Sequence, residues 1–396
     1  MSIFNSLGSN YNFDFVLKAL FTRSQKKDSD NLKNLLEEKY QGEAFLFYKG
    51  REAITSALKS LNLPKESFVA INGFTCFAVY EAIQKAGLNV EYLDIEKGEL
   101  NFSPKILLNK FKDNPKIKVV IVQNTLGYPS DIEEIVKICT ENKIILIEDL
   151  AHCVGTKYQN GWEAGKVGDI TVLSFSQDKT IDGVSGGGLI VREGNNSKHN
   201  LNNLPTRQQL IDRLYPLFTY LIRTCYYLGV GRILHFLLKN LNLLSKPMGN
   251  KSNNNPHTLP DWNANLISLG FDNLNANLHH RKTIAYIYAK LISHKILSRD
   301  IVKQIPLSTN LRFPIFVSNR QSLFKFLSNH QIYVSDTWYD APIAPIKYLK
   351  DTNYQAGDCP NSEMASRSII NLPTHINVSE ADAKKIAQLI NQWAKS

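Results

Sequence analysis

Unbroken runs of apolar residues alternate with helix-like patterns between residues 45 and 192, and this alternation restricts the possible folds most strongly. Two of the runs, VVIV at 119–122 and IILI at 144–147, contain no polar side chain, which is typical of strands buried on both faces. The pattern predicts a mostly parallel α/β sheet, whose ligands bind beyond the carboxyl ends of the strands. Further strands are predicted at 68–71, 90–93, 171–175, 189–191 and 311–317, and helices at 52–61, 79–86, 131–141, from about 263 and from about 379.

The overall composition excludes several classes of protein. With 43% apolar and 21% charged residues, the 396-residue chain is neither disordered throughout nor a collagen-like or coiled-coil fibre. Its five cysteines are scattered and form no CxxC pair, so we predict neither a disulfide scaffold nor a metal site. The same pattern predicts a reducing, cytoplasmic location. The N-terminal stretch lacks a secretory-signal pattern.

The net charge of +10, from 46 basic and 36 acidic residues, suits anionic partners such as nucleotides, phosphorylated sugars or an anionic membrane surface. The basic residues are spread along the chain rather than clustered, and no RNA- or DNA-binding motif occurs. We therefore predict no nucleic-acid partner.

Three segments of the predicted sheet carry residues able to do chemistry. Asp149 follows one buried strand, where a carboxylate is costly unless a cation or hydrogen-bond donors meet it; capping of the next helix is the alternative role. Lys179 follows another strand on a glycine-rich turn, where a desolvated amine is a nucleophile and a solvated loop lysine is the alternative. Gly50 and Arg51 open a helix whose N-terminus favours a phosphate, unless it is a plain helix cap.

Pyridoxal 5′-phosphate needs three groups from a protein: a site for its phosphate, an acid for its ring nitrogen and an amine for its aldehyde. The three segments above contain all of them. The same segments resemble the DegT/DnrJ/StrS family of sugar aminotransferases. The resemblance implies a fold-type-I α/β architecture, with a large domain built on a mostly parallel central sheet flanked by helices and a smaller C-terminal α+β domain. The matching stretches are FLFYKGREAITSALKSL, AINGFTCFAVYEAIQKAGLNVEYLDI, VVIVQNTLGYPSDIEEI, IILIEDLAHCVGTKY and GDITVLSFSQDKTIDGVSGGGLIV.

The resemblance assigns the catalytic role to Lys179, which in the family forms a Schiff base with the cofactor and later moves a proton. Asp149 matches the acid that pairs with the pyridinium nitrogen, and His152 matches a residue near the cofactor's 3′-oxygen. Asn124 matches a sheet-edge position that faces the site in the family.

The cofactor phosphate is assigned by the same resemblance to Gly50, Arg51 and Ser174. The family completes this phosphate site with an asparagine from the partner subunit, because its active site lies at a homodimer interface. The stretches 253–255 and 263–265 contain candidate asparagines, and neither is preferred.

The side chain that covers the cofactor ring is left open by the sequence. Many family members place an aromatic residue where this chain has Cys76, which is also a plausible packing residue. Trp338, Tyr339 and His375 match positions where the small domain approaches the substrate, and ordinary packing is an equal alternative for each.

One segment, residues 214–244, does not match the family. Its longest uncharged stretch, nine residues, is far short of the ~20 that span a bilayer, and Pro216 with the break at 229–231 predicts two short helices. The hairpin either packs on protein or lies on an anionic membrane, and the segment at 13–21 has the same character. We predict an N-terminal arm at 1–30, a large domain at 31–205 and 247–280, a helical insertion at 206–246 and a small domain at 281–396.

The resemblance implies a pyridoxal-phosphate-dependent aminotransferase that moves an amino group from an amino acid to a keto sugar in cell-envelope or glycan-precursor synthesis. Glutamate is the implied donor and a nucleotide the implied carrier of the sugar. The sequence leaves two alternative functions open. One is a sugar dehydratase or lyase with the same cofactor, and the other is a non-catalytic, membrane-associated binding protein on the same fold.

Overall fold

The computed structural model describes residues 2–192, 200–246, 255–335 and 338–395, and contains thirteen strands and fourteen α-helices within these ranges. The strands are β1 (Ile3–Phe4), β2 (Glu43–Phe47), β3 (Phe68–Asn72), β4 (Thr75–Cys76), β5 (Asn89–Leu93), β6 (Ile117–Val122), β7 (Ile145–Asp149), β8 (Ile170–Ser174), β9 (Gly187–Val191), β10 (Arg312–Phe316), β11 (Ile332–Tyr333), β12 (Ile343–Ala344) and β13 (Ile369–Pro373). The helices are α1 (Phe13–Phe21), α2 (Lys26–Tyr40), α3 (Gly50–Ser60), α4 (Phe77–Lys85), α5 (Pro104–Asp113), α6 (Ile132–Asn142), α7 (Thr206–Thr224), α8 (Val230–Asn240), α9 (Asp261–Asp272), α10 (Leu274–Leu291), α11 (Arg299–Gln304), α12 (Arg320–Asn329), α13 (Pro360–Ser368) and α14 (Glu380–Trp393).

A seven-stranded sheet in the order β2-β9-β8-β7-β6-β3-β5 forms the centre of the molecule. Five neighbouring strands, β8, β7, β6, β3 and β5, run parallel, and β9 lies antiparallel between β8 and β2. The predicted α/β fold with a mostly parallel sheet is confirmed. The six strands predicted in this region are present with boundaries shifted by one or two residues, whereas β2 was not predicted.

Helices cover both faces of the central sheet, which explains the unbroken apolar runs. Successive β6 residues point to opposite sides, so Val120 packs with α2, α5, α6 and α9 while Ile121 packs with α3 and α4. Both side chains are at most 2% exposed. A polar residue at either position would lack a partner, and the sequence accordingly has none.

The C-terminal part of the chain forms a second hydrophobic core. The antiparallel pair β10 and β13 packs against α10, α12 and α14. A capping box between Ser379 and Asp382 fixes the start of α14. This part reaches back to the large sheet region through β12, which pairs in parallel with β4. The predicted boundary between residues 280 and 281 falls within α10.

The unmatched segment forms two helices, as predicted, but Pro216 is not their break. Pro216 lies inside the 19-residue α7, and the chain turns at Gly229, whose φ of +80° favours glycine. None of the helices described here combines the length and the apolar run needed to cross a membrane.

Candidate active site

A cavity of about 190 Å³ lies at the carboxyl ends of β7 and β8, where the sequence predicted a site. Residues from both halves of the molecule close it, with Trp338, Tyr339 and Pro345 approaching from the C-terminal part. The predicted site residues that line this single cavity are Gly50, Arg51, Cys76, Asp149, His152, Ser174, Lys179, Trp338 and Tyr339. The fold thus brings together nine residues that are separated by up to 289 positions in the chain.

Lys179 lies on the loop between β8 and β9, with its amine 4.7 Å from the centre of the Trp338 ring. Burial lowers the pKa of this amine, although Cys76 and then Asp149 act in the opposite direction. A lowered pKa gives a larger fraction of neutral, nucleophilic amine near neutral pH. The alternative of a solvated loop lysine does not describe this environment.

Asp149 is the last residue of β7 and is only 3% exposed. Its Oδ1 accepts a hydrogen bond of 2.9 Å from the backbone N–H of Ala151. Burial raises the pKa of the carboxyl, while this hydrogen bond and the charge of Lys179 lower it. Asp149 is therefore poised to hold a proton on a basic nitrogen placed in the cavity, because a nearby cation favours its ionised form.

The N-terminus of α3 provides an anion site beside Ser174. A Cβ added at Gly50 would lie 2.7 Å from Cβ and 3.0 Å from Oγ of Ser174, so only glycine permits this close approach. The first N–H groups of a helix and its dipole favour a phosphate there. Arg51 adds positive charge and is itself held by Glu81, with 2.5 Å between Nη1 and Oε2.

Lys49 is a second partly buried lysine at the cavity, and it was not predicted. Its Nζ donates a 2.9 Å hydrogen bond to Ser185 Oγ, and burial lowers the pKa of the amine. The sequence KGRE places Lys49 and Arg51 on either side of Gly50, and this pair of basic residues is the local signal for Lys49.

Three aromatic rings form the wall opposite the α3 N-terminus. The His152 and Trp338 rings stack with centroids 5.3 Å apart at an angle of 22°. The Tyr339 hydroxyl lies 3.3 Å from His152 Nδ1 and accepts a 2.9 Å hydrogen bond from Gln123. Burial, followed by the charges of Lys179 and Arg312, lowers the pKa of His152, so its imidazole is neutral at neutral pH.

Asn124 does not face the cavity, contrary to the prediction. It follows β6 in a left-handed conformation, with φ of +51°, and its side chain is fully buried. The amide donates to Tyr158 and accepts from the backbone N–H of Ser130, which occupies it in structural hydrogen bonds. The neighbouring Gln123 lines the cavity instead, because the backbone turns at Asn124.

His375 and the candidate partner-subunit asparagines also lie outside the cavity or outside the described residues. His375 is buried, with Nε2 2.8 Å from the Phe4 carbonyl oxygen. Asn263 is buried and donates to the Gly183 carbonyl at 2.7 Å, and the half-buried Asn265 donates to Asp28 of its own chain. Asn255 is exposed, and residues 253 and 254 lie outside the described residues.

The N-terminal arm holds the Lys179 loop, an arrangement that sequence patterns do not reveal. Ser9 donates to Asp178 from both its backbone N–H and its hydroxyl, at 3.1 and 3.0 Å. Asn10 donates to the carbonyl oxygen of Lys179 at 3.0 Å, and the Tyr11 hydroxyl donates to Asp182 at 2.8 Å. The partners are about 170 positions apart, and no periodicity links them.

The donor set of the cavity fits pyridoxal 5′-phosphate. Because Gly50 has no Cβ, space remains between it and Ser174, and we call this space the phosphate cradle. The α3 N-terminus and Arg51 lie beside it and provide the N–H groups and positive charge that a phosphate requires. Asp149 provides the buried carboxylate for a ring nitrogen, and Lys179 provides the amine for an aldehyde. The residues present therefore satisfy the polar and charged groups of this cofactor.

Comparison with known proteins identifies relatives along nearly the whole chain. The pleiotropic regulatory protein of Geobacillus stearothermophilus is 23% identical over 350 residues, which cover 87% of this chain and 83% of that protein. The GDP-perosamine synthase of Vibrio cholerae is 31% identical over 141 residues, but these span only 36% of this chain and 38% of the synthase. The solved structure of Helicobacter pylori PseC, an aminotransferase involved in the biosynthesis of pseudoaminic acid, has the same fold, with a TM-score of 0.73 at 16% identity and complete coverage of both chains.

The family model of the DegT/DnrJ/EryC1/StrS aminotransferases matches residues 33–209 and 240–391. The match includes every cavity residue named above and omits residues 210–239, which contain most of α7 and nearly all of α8. The chain therefore belongs to the DegT/DnrJ/EryC1/StrS aminotransferase family, and it is a pyridoxal-phosphate-dependent aminotransferase.

Proposed function

We propose that this enzyme transfers an amino group from glutamate to a nucleotide-linked keto sugar that serves as a cell-envelope or glycan precursor. The observation that carries the proposal is the pairing of a partly buried amine of lowered pKa, Lys179, with a buried carboxylate, Asp149, in one cavity beside a phosphate cradle. A non-catalytic binding protein would have no need to withdraw two such groups from water.

Lys179 and Asp149 divide the acid–base work between them. Bound pyridoxal phosphate supplies an electron-withdrawing ring that accepts the electron pair left when a proton leaves the neighbouring carbon. Asp149 holds a proton on the ring nitrogen, which strengthens that electron withdrawal. The Lys179 amine takes the proton from the donor carbon and delivers it to its new position, and its lowered pKa suits an amine that both accepts and releases protons.

The remaining cavity residues orient the reacting groups. The Gly50 N–H, the Ser174 hydroxyl and the Arg51 guanidinium would hold the phosphate, in the same cavity as Lys179. The neutral His152 and Tyr339 provide hydrogen-bonding groups near the ring without adding charge. The Trp338 ring lies against the Lys179 amine and shields one side of it from solvent.

The nature of the acceptor is supported by charge and by the relatives. The net charge of +10 suits a substrate that carries a diphosphate, and Lys49 and Arg51 place two cations at the cavity. One relative is a GDP-perosamine synthase and one structural neighbour acts in pseudoaminic acid biosynthesis. We further propose a homodimer whose partner subunit completes the site, as the family resemblance implies.

A two-stage assay tests this function. The purified protein, loaded with pyridoxal phosphate, is expected to be yellow and to lose this colour on addition of glutamate. The amine-loaded protein is then offered a panel of keto-sugar nucleotides, and mass spectrometry should detect one product in which a carbonyl oxygen is replaced by an amino group. Lys166→Ala, which alters an exposed lysine with a single ion pair at 3.7 Å, serves as the matched control for Lys179→Ala.

Each alternative has its own outcome in this assay. A yellow protein that removes water from a sugar without transferring nitrogen would replace the proposal with a dehydratase or lyase. If the purified protein bound no cofactor, the alternative of a non-catalytic binding protein would replace the proposal. Bleaching by glutamate followed by amination of the sugar is the result that supports the proposal.

A further inference from the structure

The hairpin formed by α7 and α8 turns an apolar surface outward. Between 49% and 72% of each of six large apolar side chains is exposed, an unusual density for one helix and its preceding turn. We call this surface the hairpin face, and its residues are Tyr227, Leu228, Ile233, Phe236, Leu237 and Leu241.

Packing of α8 on the rest of the molecule does not account for these residues. Its inner side is fixed by Gly231, where a Cβ would lie 2.2 Å from the Ile222 carbonyl oxygen, and by the buried Leu238. Ile233 and Leu237 are four residues apart and therefore share the opposite, solvent-facing part of the helix. The helix thus has a second apolar side beyond the one that the fold uses.

A second exposed apolar stripe lies on α1, which packs on α7. Phe13, Leu17 and Phe21 recur every four residues and are 57%, 39% and 75% exposed. The Phe13 ring lies 5.9 Å from that of Tyr220 on α7, so the exposed start of α1 packs on the helix that leads into α8. Basic residues follow α1 at Arg23, Lys26 and Lys27.

The charge of residues 213–260 indicates which kind of partner binds the hairpin face. No acidic residue occurs between Asp212 and Asp261, whereas the same stretch contains six Lys and Arg residues. Three of these, Arg232, Lys239 and Lys246, are exposed on or just after α8. An anionic surface would neutralise this positive charge, because charges attract one another over about one Debye length, ~8–10 Å.

A second copy of the chain is a poorer occupant of the same face. A two-fold contact places the same patch against itself, and would therefore bring two α8 segments together without an exposed carboxylate from either, since Asp212 on α7 is buried and Asp14 on α1 is paired with Lys18. We propose that the hairpin face, with the exposed side of α1, docks this enzyme on the surface of an anionic lipid bilayer. The apolar side chains enter the interfacial region while the lysines attract the headgroups, which is the binding mode of interfacial helices.

Vesicle flotation of the full-length, cofactor-loaded protein tests this proposal. At low salt the protein should float with vesicles of phosphatidylcholine and phosphatidylglycerol, and bind pure phosphatidylcholine vesicles about tenfold more weakly. Phe236→Asn/Leu237→Asn should weaken binding to anionic vesicles at least tenfold, because it removes apolar area that enters the membrane. Lys239→Gln/Lys246→Gln should weaken it by about tenfold and reduce its dependence on salt.

Matched controls separate docking from general effects of charge and hydrophobicity. Trp162→Asn/Tyr286→Asn removes two exposed aromatic rings elsewhere, and Lys105→Gln/Lys137→Gln removes the same amount of charge from α5 and α6. Both controls should float like the unaltered protein, and circular dichroism should show all variants folded. Equal flotation of Phe236→Asn/Leu237→Asn and the unaltered protein, or no flotation of either, would overturn the proposal.

Sedimentation velocity distinguishes the competing occupant. The mass of Phe236→Asn/Leu237→Asn should equal that of the unaltered protein if the face binds lipid. A variant that dissociates into smaller particles would show that the face joins copies of the chain, and the lipid proposal would be abandoned. Both readouts are independent of aminotransferase activity, so they stand apart from the function proposed above.

Discussion

Lys179 differs from an ordinary surface lysine in its surroundings rather than in its neighbours along the chain. Its amine lies beside the Trp338 ring and in the field of Asp149, and burial lowers its pKa. The glycine-rich sequence around it is compatible with a solvated loop, so only the packing of the C-terminal part over this loop makes the amine a nucleophile.

We predict that Lys179→Ala abolishes covalent capture of pyridoxal phosphate and lowers turnover by at least ~10³-fold, because it removes the amine that takes and returns the proton, while Lys49, the other cavity lysine, donates a hydrogen bond to Ser185. Borohydride reduction followed by peptide mass spectrometry should find the cofactor on residue 179 of the unaltered protein. The variant should keep its circular dichroism spectrum. Normal turnover by the variant would remove Lys179 from the mechanism.

Gly50 carries the phosphate cradle because any Cβ would collide with Ser174. Gly50→Ala should weaken cofactor binding at least tenfold, measured as the dissociation constant by fluorescence titration. Gly98→Ala is the matched control, since Gly98 has open space around it but a φ of +85°. The control should cost ~1 kcal/mol of stability and leave cofactor affinity unchanged. Equal affinity in Gly50→Ala would contradict the cradle.

The stability of the site loop should depend on pH through Asp182. Burial, and then the charge of Asp178, raise the pKa of Asp182 to about 7. The folded state therefore holds a proton that the unfolded state releases near pH 4, so the stabilisation is present below pH 4 and is lost as pH rises through 7. We expect Tm to fall between pH 5.5 and 8, and Asp182→Asn to flatten this fall. An unchanged pH profile in Asp182→Asn would assign the effect to other groups.

Among the elements, the N-terminal arm determines the position of the Lys179 loop although it contributes no residue to the cavity. Its backbone and side chains satisfy Asp178, the Lys179 carbonyl and Asp182, and these bonds fix the loop from behind. Arg281 in turn donates to Asn10 at 3.0 Å, which ties the arm to α10.

Ser9→Ala/Asn10→Ala should therefore loosen the loop and reduce cofactor affinity by ~5–30-fold, since three side-chain hydrogen bonds to the loop are lost. Asn12→Ala is the control, because it removes only the N-cap of α1, where Asn12 accepts from Phe15 at 2.9 Å. The control should cost ~1 kcal/mol of stability without affecting affinity. The affinity is measured by titration with pyridoxal phosphate. A larger loss of affinity in Asn12→Ala than in Ser9→Ala/Asn10→Ala would contradict this role of the arm.

At the scale of the whole molecule, the cavity lies between two hydrophobic cores. The central sheet supplies Asp149 and Ser174, and the C-terminal part supplies Trp338 and Tyr339 through the segment that leads to β12. The pairing of β12 with β4 holds this segment beside Cys76, at the edge of the cavity. Changes in the packing of the two cores therefore alter the site directly.

The proposed homodimer makes a prediction at the same scale. Sedimentation equilibrium should give a particle of about twice the 44.9 kDa chain mass, and cofactor release should accompany dissociation on dilution. The reason is that a site completed by a partner residue loses a phosphate ligand when the subunits separate. A stable monomer that keeps its cofactor would show that each chain holds the phosphate alone.

The sequence by itself determined the α/β class, the strands and the residue types at their ends. Buried parallel strands must be apolar throughout, and a site at their carboxyl ends must draw its residues from the positions that follow, so both signals are local. Asp149, Lys179 and Gly50 were accessible to this reasoning, and their family motif added Ser174 and His152.

Only the tertiary structure decided which side chains share the cavity. Asn124 and Gln123 are adjacent in sequence, yet a left-handed turn buries the first and leaves the second at the cavity. The arm residues Ser9 and Asn10, and the covering of Lys179 by Trp338, depend on contacts between segments about 160–170 positions apart. Such contacts leave no periodic trace in the sequence, because they are specified by the packing of whole elements rather than by the local order of residues.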